Sequence, residues 1–422
     1  MPSGDQSTSA RPEVFTTRAP KLGLVGSLDG LRAVAVALVV VFHLLPAKLT
    51  SFSAGVDIFF VVSGFLITTL LLQEHRKTGT ISLRSFYARR GLRLLPPLYP
   101  VLGFTFLISL FVKNGRYVST ALKEILAGFF YVYHVAFTVR LDSNANRHLF
   151  LTHLWSLSVE EHFYLVIAVL VLVVIRRNLA RPFLAGAAVF VVAGAALRAT
   201  EHLGPFVFWL QRPDALLIGV VLAFANAHLP TELDHRHRRV LTTAGLVGLF
   251  VTGLGVMAST AIFNKLGIAM KFSNYKAFEA ATLGSERFGL TWTQIGYTLV
   301  GWGIAPVILA AVRVDDWWLS RLLSLRWMQR VGRQSYAIYI WHVPILIVVA
   351  DRADAWGGSA LGALGVIAVA VGSLAVAFAS HRYIEVPALR LKHRFASDPD
   401  AIDRLARDEV PGDISGALSE GP

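Results

Sequence analysis

Residues 31–45 read LRAVAVALVVVFHLL, an almost unbroken apolar run with an arginine near its start and a histidine near its end. Runs of this kind recur along the chain, and many reach or approach the roughly 20 residues that a helix needs to cross a bilayer. Of the 422 residues, 55% are hydrophobic and 16% are charged, whereas an ordinary soluble domain carries about 25% charged residues. The sequence therefore predicts an all-α polytopic membrane protein.

The charge and cysteine content exclude several classes of function. The net charge of +13 does not indicate nucleic-acid binding, because Lys and Arg lie mostly in short segments between the apolar runs, as positive-inside loops do. The chain has no cysteine, which excludes a disulfide framework, a thiolate nucleophile and a cysteine-based metal site. The first 27 residues are polar and lack an apolar core, so no cleavable signal peptide is expected.

The apolar runs predict ten membrane helices, with both termini in the cytoplasm. Counting 121–139 as an eleventh would put several basic loops outside, against the positive-inside rule. We therefore predict that 113–156 and 259–290 lie outside, with 121–139 as a re-entrant or interfacial helix. Residues 1–27 and 395–422 are predicted to be disordered cytoplasmic ends, and 28–394 to form the membrane domain. The ten predicted helices are 28–47, 55–73, 96–112, 157–175, 182–199, 213–227, 240–258, 291–312, 334–350 and 358–381.

Arg32 and His43 lie on one face of the first predicted helix. Eleven residues advance about 1100°, roughly 20° beyond three full turns, and separate the two by about 16 Å along the axis. Asp29 lies on nearly the same face. Ionisable groups are costly at membrane depth and a neutral imidazole can take a proton from a hydroxyl, so His43 is a candidate general base. The alternative is a packing hydrogen bond from His43 and a snorkelling Arg32 at the membrane boundary.

Two adjacent carboxylates, Glu160 and Glu161, follow Trp155 at the predicted outer mouth of a helix, with Tyr164 close behind. They point about 100° apart, so at most one is expected to address His43. That carboxylate would orient the imidazole or the acceptor, while the other would pair with an arginine. The alternative is an ordinary interfacial belt in which Trp155 and Tyr164 are membrane anchors.

Three arginines, Arg89, Arg90 and Arg93, lie within about one helical turn of each other, just before a predicted membrane entry. The guanidinium fork suits phosphate, so this segment is a candidate site for a cytoplasmic phosphate-bearing donor. The alternative on charge alone is a positive-inside determinant that binds anionic lipid headgroups.

Tyr339 and His342 are three residues apart in the ninth predicted helix and can meet on one face. His342 is a second intramembrane histidine, but Pro344 follows closely, and the alternative role for the imidazole is to satisfy backbone groups at a distorted turn. No P-loop, dinucleotide fingerprint or zincin spacing occurs, and no metal site is predicted. Further polar candidates for supporting a site are Asp57, Arg212 and Asp214.

Six segments carry a family resemblance. They are LDGLRA (28–33) with His43, GVDIFFVVSGFLIT (55–68), the arginine-proline segment 86–99, WSLSVEEHFY (155–164), SYAIYIWH (335–342) and YIEVP (383–387). In this order the chain resembles the acyltransferase 3 family of integral membrane O-acyltransferases, over about residues 27–394. No single segment is decisive, but the ordered set is specific.

The resemblance implies transfer of an acyl group, often acetyl, from cytoplasmic acyl-CoA to a hydroxyl of a glycan, glycolipid or antibiotic. It also implies that His43 is the essential histidine and Arg32 its paired arginine. By the same resemblance Arg90 and Arg93 would be the spaced arginines of the cytoplasmic loop, and the predicted donor-binding set adds Arg89 and Tyr336 to them. One departure is His162, where such motifs more often carry Gln. No appended hydrolase-like domain is expected, so the chain is interpreted as a stand-alone membrane unit in a bacterial cell membrane.

The sequence leaves the mechanism and part of the function open. The acyl group could pass directly or through an acyl-His43 intermediate, and the oligomeric state is not predicted. The expected partners are acyl-CoA as co-substrate, a hydroxyl-bearing acceptor and membrane lipids, with neither nucleic acid nor metal. The competing classes are a transporter or flippase for a glycan or lipid intermediate, and a non-catalytic scaffold, which would have no need of the ionisable stripe Asp29/Arg32/His43.

Overall fold

A computed structural model describes residues 25–45, 48–138, 149–200, 212–271, 290–355 and 362–391. Within these ranges the chain is almost entirely helical, and the only β pairing there is an isolated antiparallel bridge between Leu49 and Thr260. The α-helices are α1 (Gly26–Leu44), α2 (Gly55–Thr78), α3 (Leu83–Phe111), α4 (Val118–Phe129), α5 (Tyr133–Thr138), α6 (Leu154–Arg177), α7 (Ala180–Thr200), α8 (Pro213–His228), α9 (His235–Met257), α10 (Ala261–Lys265), α11 (Trp292–Arg313), α12 (Trp318–Leu323), α13 (Arg326–Arg333), α14 (Ser335–Ala355), α15 (Gly362–Ser380) and α16 (Val386–Arg390).

Eight helical segments in the described ranges are long and apolar enough to cross a membrane, and two shorter apolar helices accompany them. The shorter ones are Pro213–His228 and Ser335–Val349. Each of the ten predicted spans overlaps one of these segments, which confirms the all-α class and supports a multi-pass membrane protein. The eight are Gly26–Leu44, Thr50–Thr78, Leu83–Phe111, Leu154–Arg177, Ala180–Thr200, His235–Met257, Trp292–Arg313 and Ile367–Arg390. The number of crossings and the side of the termini stay predictions.

The arginine-rich segment is helical, where the sequence predicted an interhelical loop. Helix α2 ends at Gly79, whose φ of 74° is the left-handed conformation that favours glycine at a helix end. The side chain of Ser82 then caps α3 by accepting a hydrogen bond from the Ser85 amide. The predicted helix began at 96, whereas the observed helix begins at Leu83, because its first turns are polar and carry no apolar signal. The three arginines therefore lie on a helix face rather than on a loop.

The predicted re-entrant stretch 121–139 is two short helices, α4 and α5. They are separated by a turn at Tyr131, whose φ is 54°. Residue 139 itself and the rest of 139–148 lie outside the described ranges, as do 1–24, 201–211, 272–289 and 392–422. The predicted disordered ends and most of the predicted loop 259–290 therefore concern residues beyond the described structure.

Helix α1 is packed tightly at its first turns. A Cβ atom on Gly30 would stand 2.1 Å from the Leu323 carbonyl oxygen, and one on Gly332 would stand 1.9 Å from the Asp29 carbonyl oxygen. Only glycine permits backbones to approach this closely. These contacts bind α1 to α12 and α13, while α2 and α14 pack along its length, so both Arg32 and His43 face protein neighbours.

Candidate functional site

Helices α1, α6 and α14 together carry two groups of polar side chains. We call the first the histidine layer; it consists of His43, His153, Ser156, Tyr339 and His342. We call the second the charged layer; it consists of Arg32, Arg90, Arg93, Glu160, Glu161, Tyr164 and Tyr336, with α3 supplying two arginines.

The two layers are separated along the helix axes. His43 follows Arg32 by eleven residues, about 16 Å of helix, and His342 follows Tyr336 by six, about 9 Å. On α6, which runs the other way, Glu161 follows His153 by eight residues, about 12 Å. Because the same three helices carry residues of both layers, the helices set the distance between the two layers.

The histidine layer joins two histidines that the sequence singled out separately. His342 Nε2 lies 3.3 Å from His43 Nδ1, and the ring centroids are 4.9 Å apart in an edge-on arrangement. His43 Nδ1 also lies 2.9 Å from the Val39 carbonyl oxygen. His342 is 1% exposed, whereas His43 is only partly buried, so His43 is the more exposed of the two.

A third histidine, His153, completes this layer and was missed by the sequence analysis. Its ring centroid lies 5.1 Å from that of His342, and its Nε2 lies 3.2 Å from the Ile340 carbonyl oxygen. Burial lowers the pKa of His153 to about 3, so the imidazole is neutral. His153 directly precedes the apolar run of α6, outside any predicted helix, and no spacing pattern marks it.

Tyr339 links this histidine to α14. Its hydroxyl donates to the His153 carbonyl oxygen at 2.5 Å and lies 2.6 Å from the Ser156 hydroxyl. Its ring also lies against the ring of His342, with centroids 5.6 Å apart. The predicted Tyr339/His342 neighbourhood is therefore present, and it belongs to a wider hydrogen-bonded set.

The charged layer is centred on Arg90 and two carboxylates. Arg90 Nη2 lies 3.0 Å from Glu161 Oε1 and 3.6 Å from Glu160 Oε1. The guanidinium also stands 3.9 Å from the centre of the Tyr164 ring, within cation–π range. Tyr164 in turn donates a hydrogen bond to Glu160. The paired side chains are only 16% and 14% exposed for Arg90 and Glu161.

This pairing differs from the predicted one. The sequence analysis expected Glu160 or Glu161 to address His43, whereas the structure pairs both carboxylates with Arg90. The physical reason is register: the carboxylates lie about two turns along α6 from the level of His153, where α3 presents its arginine. Periodicity within one helix cannot reveal which neighbouring helix supplies the counter-ion.

Two arginines of the charged layer have no counter-ion in contact. Neither Arg32 nor Arg93 forms an ion pair or hydrogen bond with another residue of the described ranges, and both are partly exposed. They are close enough for their charges to interact, and Arg32 also interacts with Asp29 and Glu160. Arg32 and Arg93 together are therefore a better candidate for binding an anion than Arg90.

The remaining predicted donor-binding residues have local partners. Arg89 Nη2 lies 3.0 Å from Glu74 Oε2, and the Tyr336 hydroxyl donates to the Leu94 carbonyl oxygen at 2.8 Å. Tyr336 thus ties the start of α14 to α3 beside Arg93, while Arg89 ties α3 to α2.

A second buried charge network lies beside the histidine layer. Arg212 Nη2 lies 3.3 Å from Asp57 Oδ2, with its guanidinium 3.8 Å from the Tyr297 ring centre and 5.2 Å from that of Trp155. Arg198 Nη2 donates to Asp214 Oδ2 at 2.5 Å and to Thr298 at 2.8 Å. The predicted support residues Asp57, Arg212 and Asp214 therefore belong to one network, to which the structure adds Arg198.

Trp155 connects this network to the site. It is partly exposed, and its ring meets Phe60 edge-on at 6.3 Å between centroids. Among the described residues no cluster of His, Asp or Glu is arranged to hold a metal ion, the three histidines included. The histidine layer thus provides a neutral imidazole beside a second imidazole. The charged layer provides cationic groups that can bind an anion.

Comparison with known proteins identifies the family. The family model of the acyltransferase domain matches residues 25–382. Among the similar curated proteins are a provisionally named O-acetyltransferase of Staphylococcus aureus strain COL (28% identical over 342 residues, 79% of this chain and 52% of the relative) and the peptidoglycan O-acetyltransferase OatA of Listeria monocytogenes (27% over 375 residues, 86% and 55%). The O-acetyltransferase OatA of S. aureus strain NCTC 8325 is 26% identical over 331 residues, which cover 76% of this chain and 50% of that protein.

The chain spans about half the length of these relatives. No solved structure matches it. The match of the domain covers both layers, from the first turn of α1 to the end of α15. The chain therefore belongs to the acyltransferase 3 family, as the six ordered segments of its sequence indicated.

Proposed function

We propose that this protein transfers an acyl group, acetyl in the first instance, from acyl-CoA to a hydroxyl of a cell-envelope glycan or glycolipid, or of a small glycosylated metabolite. The observation that carries the proposal is the position of a partly exposed histidine, His43, on the same helix as Arg32, an arginine that forms no ion pair with any other residue the structure describes. Family membership and the names of the O-acetyltransferase relatives support the reaction class.

The donor would bind at the charged layer. Acyl-CoA carries several phosphates, and charge-assisted hydrogen bonds from arginine to phosphate are among the strong ones in proteins. Arg90 is already neutralised by Glu160 and Glu161. Arg32 and Arg93 remain for the donor, with Tyr336 fixing the helix on which Arg93 lies. This assignment revises the predicted site, which rested on Arg90 and Arg93.

Acyl transfer would occur at the histidine layer. The acceptor hydroxyl gives its proton to the bare ring nitrogen of His43 while its oxygen attacks the thioester carbonyl carbon. The carbon–sulfur bond then breaks, and the imidazolium returns the proton to the departing thiolate. The products are an ester and free CoA thiol, so the protein ends in its starting state. A direct transfer of this kind needs no acyl-enzyme.

The acceptor would approach past the aromatic residues beside the histidines. Trp155 is partly exposed there, with its ring oriented by Phe60 and by the guanidinium of Arg212. A partly exposed indole ring of this kind could stack on the apolar face of a sugar ring. The name of the Listeria relative, a peptidoglycan O-acetyltransferase, makes an envelope glycan the first acceptor to test.

The direct test is acetyl transfer by the purified full chain in proteoliposomes. Radiolabelled acetyl-CoA is supplied with muropeptides, with extracted envelope glycolipids, or with no acceptor, and label in ester linkage is counted together with free CoA. We expect acceptor-dependent release of CoA and an equal amount of labelled ester. Movement of glycan across the bilayer without acetyl-CoA, and without ester formation, would instead identify a transporter.

A further inference from the structure

The geometry points to His342 as a positioning residue: it holds His43 in the tautomer that carries its proton on Nδ1, and so leaves Nε2 of His43 as the base. This inference rests on the proposed function of His43, and it adds a residue whose interaction with His43 the sequence did not predict. It follows from the hydrogen-bond partners of the two rings, taken one at a time.

The tautomer of His342 is set by its own backbone. His342 Nδ1 lies 2.6 Å from the Tyr339 carbonyl oxygen, which can only accept, so Nδ1 must carry a proton. A charged imidazolium would be costly at 1% exposure with two further imidazoles beside it. His342 is therefore neutral, and its Nε2 is a bare acceptor.

That acceptor and the Val39 carbonyl oxygen together determine the tautomer of His43. His43 Nδ1 faces two groups, His342 Nε2 at 3.3 Å and the Val39 carbonyl oxygen at 2.9 Å. Both are acceptors, so Nδ1 must supply the proton and shares it between them. The opposite tautomer would set the bare lone pair of Nδ1 against two acceptors. In a neutral imidazole one nitrogen donates and the other accepts, which leaves Nε2 of His43 unprotonated.

The same contacts favour the charged state that forms during transfer. When Nε2 takes the hydroxyl proton, His43 becomes an imidazolium whose Nδ1–H still donates to Val39 and His342. No rotation or exchange of partners is needed before Nε2 returns the proton to the thiolate. An orienting acceptor on the far side of a catalytic imidazole plays this part in hydrolase triads as a carboxylate; here a second imidazole supplies the lone pair.

His153 holds the orienting ring in turn. Its Nε2 donates to the Ile340 carbonyl oxygen, and its ring packs edge-on against that of His342 at 5.1 Å between centroids. Because His153 is neutral and buried, it adds no positive charge that would oppose protonation of His43. His153 therefore positions the ring of His342, and His342 in turn orients the ring of His43.

The test compares two substitutions at His342. His342→Phe keeps a flat ring of similar size but removes the acceptor, whereas His342→Gln keeps an oxygen that can accept the Nδ1 proton of His43. Solid-state NMR of isotope-labelled histidine reports which ring nitrogen of His43 is protonated, with the signal assigned by its loss in His43→Gln. Steady-state kinetics with acetyl-CoA give kcat and the donor KM on the same samples.

We expect His43 of the unmodified protein to be protonated on Nδ1. In His342→Phe this tautomer should mix with the other, and kcat should fall about 10- to 100-fold with little change in donor KM, less than the loss of a whole general base because Val39 still accepts. His342→Gln should keep the tautomer and most of kcat. A structural role alone would make both variants equally defective, with the tautomer unchanged.

Three results overturn the inference. The first is a proton on Nε2 of His43 in the unmodified protein, which needs no variant to fold. The second is an unchanged tautomer and kcat in His342→Phe. The third is equal loss in the Phe and Gln variants. Failure of the proposed function is distinguishable, because it would show as full transfer activity in His43→Gln whatever the tautomer.

Discussion

The histidine layer and the charged layer are built from the same three helices but balance their polar groups in opposite ways. The charged layer places formal charges in contact, with Arg90 between Glu160 and Glu161 and over the ring of Tyr164. The histidine layer has hydrogen bonds between neutral groups, His43 to His342 and Tyr339 to His153 and Ser156. The charged layer thus consists of paired formal charges, and the histidine layer consists of neutral hydrogen-bond donors and acceptors.

This difference supports the proposal that each layer has a separate task. Groups that exchange a proton must be neutral and poised between two protonation states, which suits imidazoles held by neutral acceptors. Groups that bind a phosphate-bearing donor must keep their charge, which suits arginine. Acyl transfer and donor binding should therefore respond to different substitutions. The proposed division between the layers would be contradicted if the same substitutions affected both.

The largest effect is expected from His43→Gln. Loss of the base should lower kcat by about 10²- to 10⁴-fold, the range of general acid–base catalysis, because glutamine cannot take the hydroxyl proton. The measurement is labelled ester formed per minute at saturating acetyl-CoA.

A matched control is His228→Gln. His228 Nδ1 also bonds a carbonyl oxygen four residues earlier, that of Phe224 at 2.7 Å, but this histidine lies at the end of α8, away from both layers. It should keep full activity. Equal rates in the two variants would mean that His43 is not the base.

The second effect concerns the stability of the charged layer. Arg90→Gln leaves two adjacent buried carboxylates without their cation, and removing one partner of a buried pair costs about 3–5 kcal/mol. We expect a lower melting temperature in detergent, partly restored when Glu161→Gln is added. Arg238→Gln removes an exposed partner of Asp316 and should cost about 1 kcal/mol or less. Equal melting temperatures for the Arg90 and Arg238 variants would contradict the buried pairing.

The third effect separates donor binding from chemistry. Arg93→Gln removes a charge that forms no ion pair within the described part of the chain, and a charge-assisted hydrogen bond is worth about 1.5–3 kcal/mol. Expressed as a ratio of binding constants, this loss of free energy should raise the donor KM about 10- to 100-fold. The kcat should be nearly unchanged. Arg84→Gln changes an exposed arginine of the same helix and serves as the control. A fall in kcat alone would place Arg93 with the chemistry instead.

The smallest effect is a pH dependence at Glu124, a carboxylate with neutral donors only. The Tyr133 hydroxyl donates to it at 2.6 Å, and the amides of Phe150 and Leu151 donate at 2.8 and 3.0 Å. Burial nevertheless raises the pKa of Glu124 from 4.5 to about 7. The folded state thus binds a proton that the unfolded state has already lost.

Stability from this group is present below pH 4.5 and is lost as the pH rises to about 7. Other groups titrate in the same window, so the quantity to measure is the difference between the unmodified protein and Glu124→Gln. As the pH rises, the melting temperature of the unmodified protein should fall relative to that of Glu124→Gln. A difference independent of pH would show that Glu124 keeps its charge when folded, unlike the neutral groups of the histidine layer.

The sequence predicted most of the fold because membrane helices are marked by length and apolarity alone. All ten predicted segments overlap apolar helices. The arginine segment was the main error, since a polar half-helix such as the start of α3 has no apolar signal and is defined by Gly79 and Ser82 instead.

The polar residues of the candidate site were singled out one by one from the sequence, but their pairings were not. His43, His342, Arg90 and the two glutamates were each singled out, because ionisable groups in apolar runs are conspicuous. Their partners come from other helices, hundreds of residues away in the case of His43 and His342, and no spacing encodes them. His153 lies outside the apolar runs, so it was not conspicuous as an ionisable group within one, and no spacing pattern marks it either.

The central claim is that chemistry belongs to the histidine layer and donor binding to the charged layer. The most direct test measures acetyl-CoA binding and acetyl transfer on the same purified samples of His43→Gln and of the double variant Arg32→Gln with Arg93→Gln. The account predicts that His43→Gln binds acetyl-CoA as tightly as the unmodified protein but transfers the acetyl group about 10²- to 10⁴-fold more slowly, and that the double variant binds acetyl-CoA weakly. It would be contradicted if His43→Gln lost binding and transfer together, or if the double variant bound acetyl-CoA unchanged.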